Sequence, residues 1–236
     1  GNLATAGTAG FTLSATSVSV AESGTTAQFT VVLDAQPASD VVISVTSADT
    51  GEVTVLPAQL TFTSGNWDTA QTVTATGIDD SAVDGNQTTA LTVSVVDASS
   101  DDDFDSVADQ TVSVTTTDDD TAAFTLSGST ATVSEAGSTA TFTAVLGAQP
   151  ASDVVLSVVS ADTGEVTVST AQLTFTNSNW NAAQTVTVTG VDDSLTDGNQ
   201  TTAVTVAVVD ASSDNSFDAL ADQTVTATTS DDDSPG

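Results

Sequence analysis

The chain has 236 residues, 32 of them acidic, with no Lys, Arg or His and a formal charge of −32. Phosphate backbones and anionic membrane surfaces are therefore excluded as direct partners, because both are held by basic side chains. The lack of cysteine removes disulfides, thiolate metal sites and cysteine nucleophiles. No internal cation offsets the carboxylates, so the chain is expected to work in high ionic strength, to bind divalent cations, or both. Acidity with few aromatic residues is also a mark of disorder. The 39% hydrophobic content and the Val/Thr-rich composition point instead to pleated strands.

Residues 1–10, rich in Ala, Gly and Thr, read as a linker. From Phe11 the sequence repeats itself: Phe11-Thr-Leu-Ser returns at Phe124, Trp67 at Trp180 and Asp79 at Asp192, all at an offset of 113 residues without a gap. About two-thirds of the paired positions are identical, which indicates tandem duplication of one structural unit. The predicted domains are 11–123 and 124–236, each the size of an ordinary single domain.

Within each repeat, short alternating segments punctuated by turn residues read as strands. In the first, strand A covers Phe11 to Ala21 with Val18 and Val20 inward. Strand B lies near Ala27–Leu33 and stops at Gln36-Pro37. Strand C is Val41–Ser47, strand D carries Leu60 and Phe62, and strand E runs from Thr72 to Ile78. Strand F holds Leu91, Val93 and Val95, and strand G holds Val112 and Val114. No window shows sustained helical periodicity or an apolar run of membrane-spanning length. Seven strands per repeat predict an all-β fold of two tandem immunoglobulin-like antiparallel β-sandwiches.

In such a sandwich the A–B, C–D and E–F loops and the exit from strand G emerge at one pole. That pole receives Glu22, Glu52, Asp79, Asp80, Asp84 and the triplet Asp118, Asp119 and Asp120. The second repeat supplies Glu135, Glu165, Asp192, Asp193, Asp197 and Asp231, Asp232 and Asp233. Eight carboxylates from stretches far apart in sequence suit calcium, which takes six to eight oxygen ligands in irregular geometry. Magnesium prefers a strict octahedron, and zinc would call for His or Cys. Eight acids suffice for more than one ion per repeat. A merely solvated acidic surface would spread its acids evenly. The F–G stretch Asp101–Asp105 emerges at the opposite pole, and its copy loses two acids, so it reads as a solvated turn.

These residues resemble the Calx-β family of calcium-binding sandwiches. Val18-Ser-Val-Ala-Glu22 is similar to the family's opening Val-x-Val-x-Glu. Glu52 in Gly51-Glu52-Val53 stands where the family has an Asp ligand. Ile78-Asp79-Asp80-Ser81-Ala82-Val83-Asp84 resembles the E–F motif of two acids, a backbone carbonyl and a later acid. The resemblance thus implies the carbonyls of Ala82 and Leu195 as further ligands, with Asp118–Asp120 completing the site. Departures are Gln87 and Gln200 where an acid is common, Asp84 and Asp197 in place of Glu, and a missing Tyr. The tandem, lysine-free copies also resemble the extender region of giant bacterial adhesins of the repeats-in-toxin type.

The reading is a calcium-binding structural spacer of a long bacterial cell-surface or secreted adhesin, extracellular, with calcium rigidifying the joints between neighbouring repeats. Any secretion signal is expected outside this stretch. Two alternatives stay open: a calcium-dependent module with weak glycan or self contacts, and a calcium-sensing regulatory domain. Trp67 and Trp180 read as core plugs rather than sugar platforms, and Asn86-Gln-Thr88 and Asn199-Gln-Thr201 as turns rather than glycosylation acceptors. Without His, Lys, Tyr or Cys there is no general base or nucleophile of the usual kind, so no enzyme is expected. The stretch is expected to be monomeric.

Overall fold

The structure, a computed structural model, describes residues 7–234; the first six residues of the expected linker, and Pro235 and Gly236, lie outside it. The chain forms two compact units. Among the described residues, unit 1 comprises 7–80 and 85–119, and unit 2 comprises 81–84 and 120–234. Each is an immunoglobulin-like sandwich of a four-stranded and a five-stranded sheet.

In unit 1 the strands are β1 (Phe11–Leu13), β2 (Ser17–Ala21), β3 (Thr26–Leu33), β4 (Val41–Ser47), β5 (Val53–Leu56), β6 (Gln59–Phe62), β7 (Gln71–Gly77), β8 (Gln87–Val95) and β9 (Gln110–Thr117). Their sheet orders are β1-β3-β7-β5 and β2-β9-β8-β4-β6. Unit 2 repeats the plan with β10 (Phe124–Leu126), β11 (Thr130–Ser134), β12 (Thr139–Leu146), β13 (Val154–Ser160), β14 (Val166–Val168), β15 (Gln172–Phe175), β16 (Gln184–Gly190), β17 (Gln200–Val208) and β18 (Gln223–Ser230). All strand pairings are antiparallel except β2 with β9 and β11 with β18, which are parallel.

Nine strands per unit replace the expected seven, for two reasons. The single strand expected over 11–21 is broken at Ser14: Phe11–Leu13 pairs with β3, whereas Ser17–Ala21 crosses to the other sheet and pairs with β9. The Ser14 hydroxyl accepts the Thr30 N–H at 2.8 Å, which turns the chain there. The second addition is β5, whose alternation over four residues is too short to read as a strand alone. It exists because β7 supplies its ladder, pairing Val53 with Gly77.

The cores follow the period-2 pattern. Phe29, Val31, Ile43, Val45, Phe62, Val73, Leu91, Val93 and Val112 are buried in unit 1, with Phe142, Leu156, Phe175, Val186, Val188, Val204 and Val206 in unit 2. Outward positions are mostly Thr and Ser, which suit a pleated surface without charge. Among the described residues no strand carries a charged residue, so the carboxylates sit in loops, in short 3-10 turns or next to strand ends. Charge is confined to the poles, and the sheets stack without like-charge pairs across their ladders. Trp67 and Trp180 are half-buried against their respective cores, as expected of plugs.

The stretch expected to be a solvated turn is different. Asp101 and Asp214 are only 7% exposed. Asp101 accepts the N–H groups of Ala38 and Ser39 at 2.7 and 2.8 Å with one oxygen and that of Asp103 at 3.1 Å with the other. Asp214 likewise accepts from Ser152 and Ser216, both at 2.9 Å. Each caps a short 3-10 turn, Asp102–Phe104 or Asn215–Phe217, and ties it to the loop before β4 or β13. Only the first acid of Asp101-Asp102-Asp103 has this structural task, and it alone is an acid in the second copy.

The N–H groups of Ser39 and Asp103 hold the Asp101 carboxyl below the ordinary 3.8, against the effect of its burial. For Asp214 burial is the largest influence and acts upward, but the N–H groups of Ser216, Ser152 and Ala151 outweigh it and lower the carboxyl too. A folded-state value below the unfolded one stabilises fully above the unfolded value and is lost as pH falls through the folded one. Asp214→Asn keeps one acceptor but turns an amide N–H₂ against a second donor. It is expected to lower Tm by roughly 5–10 °C at neutral pH. That gap should shrink between about pH 5 and pH 2, where wild type loses the same contribution. A gap independent of pH, read by thermal melts across this range, would show that the ionised carboxylate is not what stabilises the turn.

Candidate metal centre

Backbone geometry carries the loop acids of each unit to one pole. In unit 1 the Glu22 N–H donates to the Thr117 carbonyl at 3.1 Å, which places Glu22 beside the exit from β9. The Ile78 N–H donates to the Glu52 carbonyl at 2.9 Å and brings the loop after β7 onto the loop before β5. Gly85, in the left-handed region at φ 73, turns its N–H onto the Asp118 carboxylate at 2.7 Å. A side chain at Gly85 would be strained in that conformation. Unit 2 has the same bonds: Glu135 to Ser230 at 3.2 Å, Val191 to Glu165 at 2.9 Å, and Gly198 (φ 75) to Asp231 at 2.7 Å.

Carboxylate oxygens of Glu22, Glu52 and Asp80 lie within 4.8 Å of one another in unit 1, and Glu22 also meets Asp118 within the same distance. In unit 2, Glu135 groups with Asp231 and Asp233, and Glu165 with Asp193 and Asp197. The triplets alternate in exposure: Asp231 and Asp233 are partly buried while Asp232 faces solvent, and Asp118, Asp119 and Asp120 follow the same alternation. Unit 1 ends at Asp119 and the main segment of unit 2 begins at Asp120.

Other expected ligands are placed differently. Asp79, Asp119, Asp192 and Asp232 are exposed and belong to none of these groups among the described residues. Asp192 and Asp232 instead line an open cavity of about 490 Å³ beside Glu135. The Leu195 carbonyl accepts the Asp197 N–H at 3.0 Å, while the Asp193 carboxylate accepts the Leu195 N–H at 2.6 Å and shapes the loop. Ala82 and Asp84 fall in unit 2, where Ala82 forms a parallel bridge with Gln149.

The electrostatics are those of repelling, desolvated carboxylates. Glu22 is fully buried and Glu135 is 1% exposed, although no basic side chain exists anywhere in the chain. Glu135 Oε1, Glu165 Oε2 and Asp233 Oδ2 are buried and, among the described residues, accept no hydrogen bond. Burial pushes the Glu135 carboxyl up; the Asp232 N–H, 3.4 Å from Oε2, opposes this, and Asp231, Asp193 and Asp197 add to it. Burial also raises Glu165, reinforced by Asp197, Asp193 and Asp162, and raises Asp233, reinforced by Asp231, Asp232, Asp192 and Asp193. Buried carboxylates are ordinarily paired or metal-bound. An all-oxygen donor set with orphaned, inward-facing atoms fits a hard cation.

The sequence gives no signal for two glycines at this pole. Gly77 and Gly190 end β7 and β16 where these strands pass against the backbone of Ala21 and Ser134, one residue before Glu22 and Glu135. A Cβ at either position would overlap a carbonyl group of that backbone.

No family model matches the sequence, and neither does any curated protein at a significant level. Among solved structures, the chain is similar to CBD12 from CALX1.2 at 13% identity, over 84% of this chain and 79% of that one, with a TM-score of 0.36. It is similar at 17% identity to domains 4 and 5 of the S-layer protein SbsC, over 80% and 70% of the two chains, with a TM-score of 0.39. The calcium binding domain CBD12 of CALX1.1 follows at 13% identity over 81% and 76%, with a TM-score of 0.32. Likenesses at this level bear on the chemistry of the acidic pole in neither direction.

Proposed function

We propose that each repeat, 11–123 and 124–236, binds calcium at its acidic pole, and that the pair serves as a calcium-stiffened spacer in a long bacterial surface or secreted adhesin. The observation that carries the reading is Glu135. Its carboxylate is buried, one oxygen accepts no hydrogen bond, and Asp231 and Asp233 approach it within 4.8 Å in a chain with no basic residue. Such a group is stabilised when a cation replaces the water it has lost. Glu135, Asp231 and Asp233 would hold one ion and Glu165, Asp193 and Asp197 a second. In the first repeat the corresponding ligands are Glu22, Glu52, Asp80 and Asp118, with Asp120 at the position of Asp233. Calcium there would supply positive charge, no redox or proton chemistry.

The spacer role follows from where the triplet lies. Asp118–Asp120 leaves β9 and leads within four residues to Phe124 of β10. A cation on it would neutralise the connection and restrict its backbone. An Asp/Glu-directed protease is expected to cut at 118–120 in chelator and to leave this stretch intact in calcium, with fragments mapped by mass spectrometry. Equal cleavage in both conditions would remove the stiffening role.

A further inference from the structure

The last inward-facing residue of β9 and of β18 is a threonine. Along β9 the buried positions are Val112, Val114 and Thr116, and along β18 they are Val225, Ala227 and Thr229. The period of two carries the same face on to Asp118 and Asp231. Thr116 pairs with Val20 of β2 on one side and with Gln87 of β8 on the other. Glu22 follows Val20 at the same period, so Glu22 and Asp118 stand one step above the Val20–Thr116 pair. In unit 2 Val133 pairs with Thr229, and Glu135 and Asp231 stand above them. Thr116 and Thr229 thus end the apolar core and form the floor of the acidic group in their units.

These hydroxyls lack what a buried polar group needs. Thr116 is fully buried, and its Oγ1 has no hydrogen-bond partner among the described residues. Thr229 is also buried, and its hydroxyl donates across the sandwich to the Glu165 carbonyl at a long 3.4 Å. A buried hydroxyl without a good partner is destabilising, and Val has the same shape without the polar atom. Both repeats nonetheless carry Thr here, although the inward position one layer down differs, Val114 against Ala227.

Resting on the calcium reading of the pole, we infer that Thr116 and Thr229 each supply a neutral oxygen to the innermost ion of their unit, from below the carboxylates. Calcium takes six to eight oxygens. Glu135, Asp231 and Asp233 already bring three negative charges to an ion that carries two, in a chain with no basic residue. A further carboxylate would add like-charge repulsion. A hydroxyl fills a place in the shell without adding charge, and the ion satisfies the orphaned oxygen in return. The Thr229 proton is directed to the Glu165 carbonyl, which leaves the oxygen lone pairs for the cation.

Calorimetric titration of the chelated full chain with calcium, alongside thermal melts in chelator, tests this. Thr116→Val/Thr229→Val keeps the shape of both residues and removes both hydroxyls. Its calcium affinity should fall on the order of tenfold, the low end for loss of a group that supports a metal site. Thr116→Val alone should melt at or above wild type in chelator, because an unsatisfied group has gone. Thr116→Ser/Thr229→Ser loses the methyls and keeps the hydroxyls, so it should melt lower yet bind calcium as wild type does. Thr116→Ala/Thr229→Ala lacks both groups and repeats the comparison with serine should the valine variant not fold. Weakened binding without the hydroxyls, with binding kept in the serine variant, supports the inference. Wild-type affinity without them overturns it, and so does an equal loss in the serine variant, which would trace the effect to packing. A Thr116→Val midpoint below wild type in chelator also overturns it, since the hydroxyl would then already be satisfied within the fold. Wild type that takes up no calcium removes the calcium reading itself, a result distinct from wild type and all variants binding alike.

Discussion

Adding calcium to the chelated protein is expected to raise its Tm by roughly 5–15 °C, the largest ligand effect this chain should show. A ligand that binds only the folded state stabilises by about 2.7 kcal/mol at a hundredfold excess over Kd, and each kcal/mol moves Tm by about 2–8 °C for domains of this size range. The physical source is clearest at the acidic pole of unit 2, where Glu135 is buried in a chain that has no basic residue. Glu135→Gln separates this account from general charge screening, because its effect should change sign. In chelator the neutral amide removes a desolvated charge facing Asp231 and Asp233, so the variant should melt at or above wild type. In calcium it removes a ligand and should melt below. Magnesium at the same concentration should give the smaller shift, since it keeps its waters and prefers an octahedron. Scanning calorimetry of the two proteins in chelator, calcium and magnesium checks all of this. An unchanged wild-type midpoint with calcium would sink the metal reading, and a variant that shifts as wild type does would remove Glu135 from the site.

Gly190→Ala is expected to be the most damaging small substitution in unit 2. Its Cβ would overlap the Ser134 carbonyl oxygen, with the carbonyl carbon at 2.8 Å and Val133 Cγ2 at 3.2 Å. The obstacle is backbone, held in register by β11 pairing with β18, so no rotamer change relieves it. Relief requires moving the end of β16 away from β11, which separates Asp192 and Asp193 from Glu135. The cost should be about 3 kcal/mol or more, a drop in Tm of roughly 10–25 °C, with a weaker calcium response. Gly77→Ala should do the same in unit 1, where the obstacle is the Ala21 carbonyl. Gly128→Ala is the control: nothing lies within 4 Å of its Cβ, and unit 1 already carries Ala15 at that repeat position. Thermal melts in which Gly190→Ala and Gly128→Ala behave alike would show that the close approach does not constrain the fold.

Much of the acidic pole is legible from strand counting. Alternating Val and Phe positions set the direction of each strand, and direction alone decides which loops share an end. That reasoning brings Glu22, Glu52, Asp80 and Asp118 together from four separate stretches, and these are among the residues whose carboxylates group within 4.8 Å. Strand counting has no resolution below a loop, however. It cannot separate Asp231 and Asp233, which are partly buried, from Asp232, which faces solvent. Nor can it separate Asp193, whose carboxylate approaches those of Glu165 and Asp197, from its neighbour Asp192. The buried role of Asp101 is illegible for the same reason. Within Asp101-Asp102-Asp103 all three residues look alike, and only the N–H groups of Ala38 and Ser39, more than sixty positions away, make the first a buried cap.

The sequence by itself determined the duplication, the all-β character, the neutrality of the sheets and the concentration of acid in loops, because these depend on period, composition and position along one chain. Only the tertiary structure decided which carboxylates lose their water, where a Cβ has no room, and that the loop after β7 gives Asp80 to one unit and Ser81–Asp84 to the other. Burial, close approach and docking are properties of pairs of segments distant in sequence. A local pattern states what a residue is able to do, and its neighbours in space decide what it does.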